Sequence, residues 1–142
     1  GKDADHSYDT VSKLQYTHAV IMEVLRLHPS VPLSHKRALN DDILPDGTFV
    51  PAGAMINWMP LLMGQSKDNW GNDVLDFKPE RFLDIKEPSP FKYPTFNAGP
   101  RLCLGKPLAI MTAKLTLAYL LPKFRFIDRL GHSGEPKWKI VL

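Results

Sequence analysis

The stretch Phe96-Asn97-Ala98-Gly99-Pro100-Arg101-Leu102-Cys103-Leu104-Gly105 decides what this chain folds into. It leads into an apolar segment whose Leu108, Met111, Leu115, Ala118 and Tyr119 recur at helical spacing. Pro107 suits the first turn of a helix and Pro122 stops it, so a helix is expected from Gly105 to Leu121. Cys103 then stands at a helix start, where the dipole and free N–H groups favour an anion such as a thiolate. It is the only cysteine in 142 residues, which excludes an internal disulfide and a Cys-rich zinc site. A lone cysteine is by default a small buried hydrophobe, and a glycine-containing turn into a helix accommodates one.

The neighbours of Cys103 each have a use if the thiolate binds a haem iron. Gly99 and Gly105 allow the backbone close to a flat macrocycle. Phe96 can cover the sulfur and keep water from it. Arg101 can reach a haem propionate with a charge-assisted hydrogen bond.

Upstream, Val11, Leu14, His18, Ile21 and Leu25 fall at spacings of three and four, with Val20, Val24 and Leu27 widening the stripe. The spacing predicts a helix over 9–28, capped by Ser7 or Asp9 and ended by Pro29. Residues 41–60 read as short strands: Asp46-Gly47 separates Ile43-Leu44 from Thr48-Phe49-Val50, and Pro51-Ala52-Gly53 precedes Met55-Ile56-Asn57-Trp58. Residues 64–102 are rich in turn residues and poor in periodicity. Phe124-Arg125-Phe126-Ile127 alternates like a strand, and another is expected to begin within Lys137 to Leu142. Nine of the thirteen prolines lie between 45 and 107, which places the non-helical part in the middle. The expected class is mainly α with small β hairpins, α+β.

The spacing Phe-x-x-Gly-x-Arg-x-Cys-x-Gly at 96–105 resembles the cysteine-loop signature of the cytochrome P450 family. Two further motifs resemble that family in the right order. Glu23 and Arg26 match the Glu-x-x-Arg pair of its helix K, on one helix face and flanked by Met22, Val24, Leu25 and Leu27. Phe77-Lys78-Pro79-Glu80-Arg81-Phe82 matches its Pro-Glu-Arg-Phe motif, whose arginine completes a Glu-Arg-Arg cluster. The resemblance implies the C-terminal part of the fold, from helix K through the cysteine loop to helix L, with residues 1–142 forming an incomplete single domain. It implies haem (iron protoporphyrin IX) as cofactor, Cys103 as catalytic residue and iron ligand, and Phe96, Gly99, Arg101 and Gly105 in cofactor binding. Glu23, Arg26 and Arg81 would hold the irregular stretch before the loop.

The implied parent activity is haem-thiolate monooxygenation: dioxygen and reductase electrons hydroxylate an apolar substrate. The wording of 25–32, 44–48 and 97–106 is closest to fatty-acid omega-hydroxylase branches. Gln65 stands where those enzymes usually carry arginine, and residues 33–37, with His35 and Arg37, occupy the segment that offers a basic group to a propionate. The distal oxygen-activating helix and a membrane anchor at the endoplasmic reticulum would lie upstream of Gly1, so the chain alone is expected to bind haem weakly or not at all and to lack turnover. A non-catalytic truncated product, or a small binding module with a structural cysteine, are the alternatives.

Charge agrees with this division of roles. The formal net charge is +3, without a basic run or the aromatic–basic interleaving of a nucleic-acid surface. The resemblance places reductase docking on the proximal face, where Lys92, Lys106 and Lys114 are the candidates. The five histidines have no metal-ligand spacing, and no apolar run is long enough to cross a bilayer.

Overall fold

The computed structural model describes residues 7–83 and 87–127. The segment expected as one helix over 9–28 forms two, α1 (Tyr8–Ser12) and α2 (Gln15–Leu27). The break sits at Leu14, whose ψ of 85° is not helical. Ser12 accounts for it: its hydroxyl donates to the Asp9 carbonyl at 2.9 Å, a local bond that competes with helix continuation. The carbonyl of Ser12, left without a helical partner, accepts a hydrogen bond from Lys114 Nζ at 2.8 Å. Ser7 occupies the N-cap position of α1, and α2 stops at His28 before buried Pro29.

Two small antiparallel sheets follow. β1 (Ser34–Arg37) pairs with β4 (Met55–Trp58), with Ser34 opposite Trp58 and Arg37 opposite Met55. β2 (Asp42–Ile43) pairs with β3 (Phe49–Val50) as the expected hairpin, with Gly47 at φ +87° in its turn and the Asp46 carboxylate accepting from the Thr48 amide at 2.9 Å. Gly53, at φ +82°, turns the chain into β4. Residues 33–37 are thus mostly strand. Their polar Ser-His-Lys-Arg sequence carries no apolar alternation that would have shown it.

The middle region is built from short helical turns: α3 (Pro60–Gly64), α4 (Lys67–Trp70) and 3-10 turns at Pro79–Phe82, Pro94–Phe96 and Gly99–Arg101. Proline stands first or second in four of these five elements, at positions where its missing N–H costs nothing. α5 (Lys106–Leu120) ends the described structure close to its expected bounds. Its inward face differs from expectation. Leu108, Leu115 and Tyr119 are exposed, whereas Lys114 is 6% exposed against α1. α5 is apolar nearly all round, so spacing alone did not identify the packed side. Residues 124–127 form no strand and are exposed. The strand expected in 137–142 and His132 lie outside the described residues.

The core is one cluster: Ala19 and Met22 of α2, Trp70, Val74, Phe82 and Tyr93, with Leu25, Phe96 and Ile110 packed against it. Its aromatic rings meet at centroid distances of 5.7 Å (Trp70–Phe82), 6.1 Å (Trp70–Tyr93) and 5.6 Å (Phe82–Tyr93), tilted or edge-on as ring quadrupoles favour. The core thereby fastens α2, the Pro79–Phe82 turn and the entry to the cysteine loop to one another.

Candidate functional site

Three features close the loop that carries Cys103. The Cys103 amide donates to the Phe96 carbonyl at 2.8 Å, and the Leu102 amide to the Gly99 carbonyl at 3.0 Å. Gly99 takes φ +58° and Asn97 φ +60°, so the reversal uses the left-handed region twice. At the far end the Lys106 amide donates to the Cys103 carbonyl at 3.3 Å and α5 begins. Phe96 at the loop's base is half-buried against the core, and Cys103 at its end is exposed. A Cβ on Gly105 would lie 3.9 Å from Cys103 Sγ, and one on Gly99 would meet nothing within 4 Å. The backbone at Gly105 thus lies bare beside the sulfur, and Gly99 faces open space.

The loop faces β1 across an open cleft of about 630 Å³ lined by Ser34, His35, Arg37, Trp58, Asn97 and Arg101, among others. A second cleft of about 390 Å³ continues from it along Lys36, Trp58, Phe91 and Gly99. Among the lining residues are three permanent cations, Lys36, Arg37 and Arg101, and no carboxylate. The arrangement suits a ligand with an apolar body and anionic ends. His35 and Arg37, whose place the sequence left open, thus share a cleft with Arg101.

Glu23, Arg26 and Arg81 lie together, with their bonds divided differently from the simplest reading. Arg26 grips Glu23 through Nε–Oε2 at 2.7 Å and Nη2–Oε1 at 2.8 Å, and both side chains are fully buried. The Lys78 amide also donates to Glu23 Oε1, at 2.9 Å. With that oxygen engaged, Arg81 Nε stays 3.5 Å away, an ion pair without a hydrogen bond. Arg81 instead donates to the Asp73 carboxylate at 2.9 Å, the Asp73 carbonyl at 2.5 Å and the Trp70 carbonyl at 3.2 Å. Arg81, then Lys78, hold the Asp73 carboxyl down at about 2. Asp73 has no motif around it, so nothing in the sequence marked it as the arginine's main partner.

Other positions were equally silent. Arg26 Nη1 donates to the Gly64 carbonyl at 2.5 Å, and a Cβ on Gly64 would collide with the Arg26 carbonyl oxygen. Tyr93 donates its hydroxyl to the Met22 carbonyl at 2.9 Å, tying the cysteine-loop entry to α2; burial pushes that phenol well above its ordinary range. Gln65 uses its side-chain amide on the Leu27 carbonyl at 3.2 Å, a C-terminal cap for α2 rather than a group in the cleft.

The basic residues proposed for docking separate into two kinds. Lys106 pairs with exposed Glu87 and lies 5.6 Å from the Phe96 ring centroid; Lys92 lies 4.5 Å from that of Trp70. Both are near the surface. Lys114 is withdrawn, because its ammonium is committed to the Ser12 carbonyl and burial lowers its pKa. Burial first, then Lys114 and Lys106, keep His18 below its ordinary value. No group of three or more metal-ligating side chains occurs among the described residues, and no helix there is long and apolar enough to cross a membrane.

Known proteins carry a similar sequence over most of this chain. Residues 1–138 match the profile of the family described as Cytochrome P450, whose cofactor is haem iron protoporphyrin IX. Among curated relatives, Cytochrome P450 704B1 of Arabidopsis thaliana is 48% identical over 139 residues, covering 96% of this chain and 26% of the relative. Cytochrome P450 94A1 of Vicia sativa is 40% identical over 138 residues, covering 91% and 27%. Cytochrome P450 86B1 of Arabidopsis thaliana is 38% identical over 137 residues, covering 94% and 24%. The chain thus spans about a quarter of the length of the curated relatives it matches. With its helices, two small antiparallel sheets and cysteine loop, the chain belongs to the cytochrome P450 family.

Proposed function

We propose that this chain is the proximal, haem-binding portion of a single monooxygenase domain, with Cys103 as the axial iron ligand. One observation carries the reading: an exposed thiol at the start of α5, on a loop whose Gly99 and Gly105 leave its surroundings open to a flat ligand. The residues present fit haem. The sulfur would supply the iron ligand, Phe96 packs against the core at the base of the loop, and Arg101, with His35 and Arg37 across the cleft, suits two propionates. When bound, the haem supplies dioxygen activation. The chain's own part would be to present the sulfur, to fix its place in the loop through the hydrogen bond from the Cys103 amide to the Phe96 carbonyl, and to anchor anionic groups at the cleft. Glu23, Arg26 and Arg81 hold the preceding segment in place, which fixes where the loop begins.

The parent enzyme in this reading hydroxylates an apolar substrate, a fatty acid, with electrons from an NADPH-dependent reductase that meets the proximal face near Lys92 and Lys106. It is held at the endoplasmic reticulum membrane by sequence outside these residues. The wording of 25–32, 44–48 and 97–106, which resembles fatty-acid omega-hydroxylase branches, supports the fatty-acid choice. The open cleft and exposed sulfur of this chain suit a half-site that binds haem weakly by itself. The test is turnover of laurate by a family-length protein carrying this sequence, with reductase and NADPH. Hydroxylated laurate is expected; turnover of other apolar compounds but no fatty acid would remove the substrate assignment.

A further inference from the structure

Ser89-Pro90-Phe91-Lys92 is the sequence's single Ser-Pro or Thr-Pro pair, and a basic residue follows three positions after the serine. Proline-directed protein kinases select that combination, because the proline replaces a backbone donor their substrate groove cannot satisfy and the later cation meets an acidic or phosphorylated subsite. Ser89 is exposed in the folded chain, as are Pro90 and Phe91, and the Ser89–Pro90 peptide is trans. The Ser89 hydroxyl oxygen accepts from the Phe91 amide at 3.3 Å, and the Ser89 carbonyl accepts from the Lys92 and Tyr93 amides, both at 2.9 Å. These bonds close a surface turn with no buried side chain in it; the core begins only at Tyr93.

The location gives a modification there a consequence. Glu87, two residues before the serine, is the partner of Lys106, the first residue of α5 after the cysteine loop. Lys92, three residues after it, lies over the Trp70 ring. The two cations assigned above to donor docking are thus both tied to this segment, Lys92 within it and Lys106 through Glu87. A phosphate adds close to two negative charges and pairs with neighbouring lysines.

We propose that Ser89 is a phosphorylation site for a proline-directed Ser/Thr kinase, and that its phosphate neutralises the Lys92–Lys106 surface. In the transfer, Ser89 Oγ bonds the γ-phosphorus of ATP, the bond to the bridging oxygen breaks to release ADP, and the hydroxyl proton passes to the kinase's base. The second half of the proposal rests on the monooxygenase reading; the first does not.

The two are tested separately. The purified 142-residue chain, incubated with a proline-directed kinase and MgATP, gains one phosphate mapped to Ser89 by fragmentation mass spectrometry. Ser89→Thr keeps that gain and Ser89→Ala abolishes it. Phosphate found elsewhere, or phosphorylation of a peptide spanning 87–93 but not of the folded chain, overturns the site. In the family-length haem enzyme, phosphorylated protein and Ser89→Asp are reduced severalfold more slowly than Ser89→Ala at low salt, and the gap closes as salt rises. Equal rates at low salt overturn the regulatory role and leave the monooxygenase reading intact, since that reading is tested on the unmodified enzyme.

Discussion

Arg81 holds Asp73 by two bonds, one to its carboxylate at 2.9 Å and one to its backbone carbonyl at 2.5 Å. The pair joins the turn after α4 to the Pro79–Phe82 turn, and through Arg81 Nε to Glu23 on α2. Because Arg81 and Lys78 depress the Asp73 carboxyl from 3.8 to about 2, the carboxylate stabilises the fold above its unfolded pKa. That contribution is present at neutral pH and lost as pH falls from about 4 towards 2. Asp73→Asn should flatten the acid limb of the stability–pH curve in that window while lowering stability at pH 7. Urea titrations across the range check both signs.

Glu23 and Arg26 are fully buried, and their arrangement places a sharper demand on the fold. Removing one partner leaves a charge without compensation in the interior, which costs about 3–5 kcal/mol. Glu23→Ala and Arg26→Ala should each bring the chain close to unfolding in a denaturant titration. Arg26→Lys should fall nearly as far, because an ammonium cannot span both Glu23 oxygens and the Gly64 and Asp76 carbonyls together.

Two glycines should respond oppositely. A methyl group at Gly64 meets the Arg26 backbone, so Gly64→Ala should lose about 3 kcal/mol. Gly105→Ala places its methyl in ordinary contact distance of Cys103 Sγ and should leave folding unchanged to within about 0.5 kcal/mol. Weaker haem binding by Gly105→Ala, with unchanged thermal unfolding of the apoprotein, would locate the macrocycle beside that glycine. Unchanged binding would remove Gly105 from the site.

The docking lysines separate in the same way. Lys106→Glu places like charges beside Glu87 at the surface, so the fold should persist while reduction of the family-length enzyme slows at low salt. Lys114→Glu puts an acid against the Ser12 carbonyl in a buried position and should destabilise the chain before any donor is involved. Circular dichroism separates the two; equal loss of structure in both would contradict the assignment.

What was legible in the sequence follows from how local each signal is. Asp46-Gly47 and Pro107 announce a turn and a helix start through backbone preference alone, and both lie where expected. Glu23, Arg26 and Arg81 were found through motifs, although the hydrogen bonds of Arg81 go to the Asp73 carboxylate and to the Asp73 and Trp70 carbonyls. Long-range relations were not readable. The Ser12 carbonyl freed at the break is taken by Lys114, 102 positions away, and β1 is a strand because β4 pairs with it rather than because of its own composition. On α5, apolar residues on several sides concealed which face packs. Cys103 was readable as a ligand candidate only through its company; its exposure and the cleft opposite β1 needed coordinates.

The identity of the iron ligand is tested most directly by the ferrous–CO spectrum of a family-length protein carrying this sequence, compared with its Cys103→Ala variant. Thiolate ligation by Cys103 predicts a strongly red-shifted Soret band in the parent that disappears in the variant while the fold is retained. A red-shifted band that survives Cys103→Ala, or a parent spectrum of the unshifted type, would contradict the assignment.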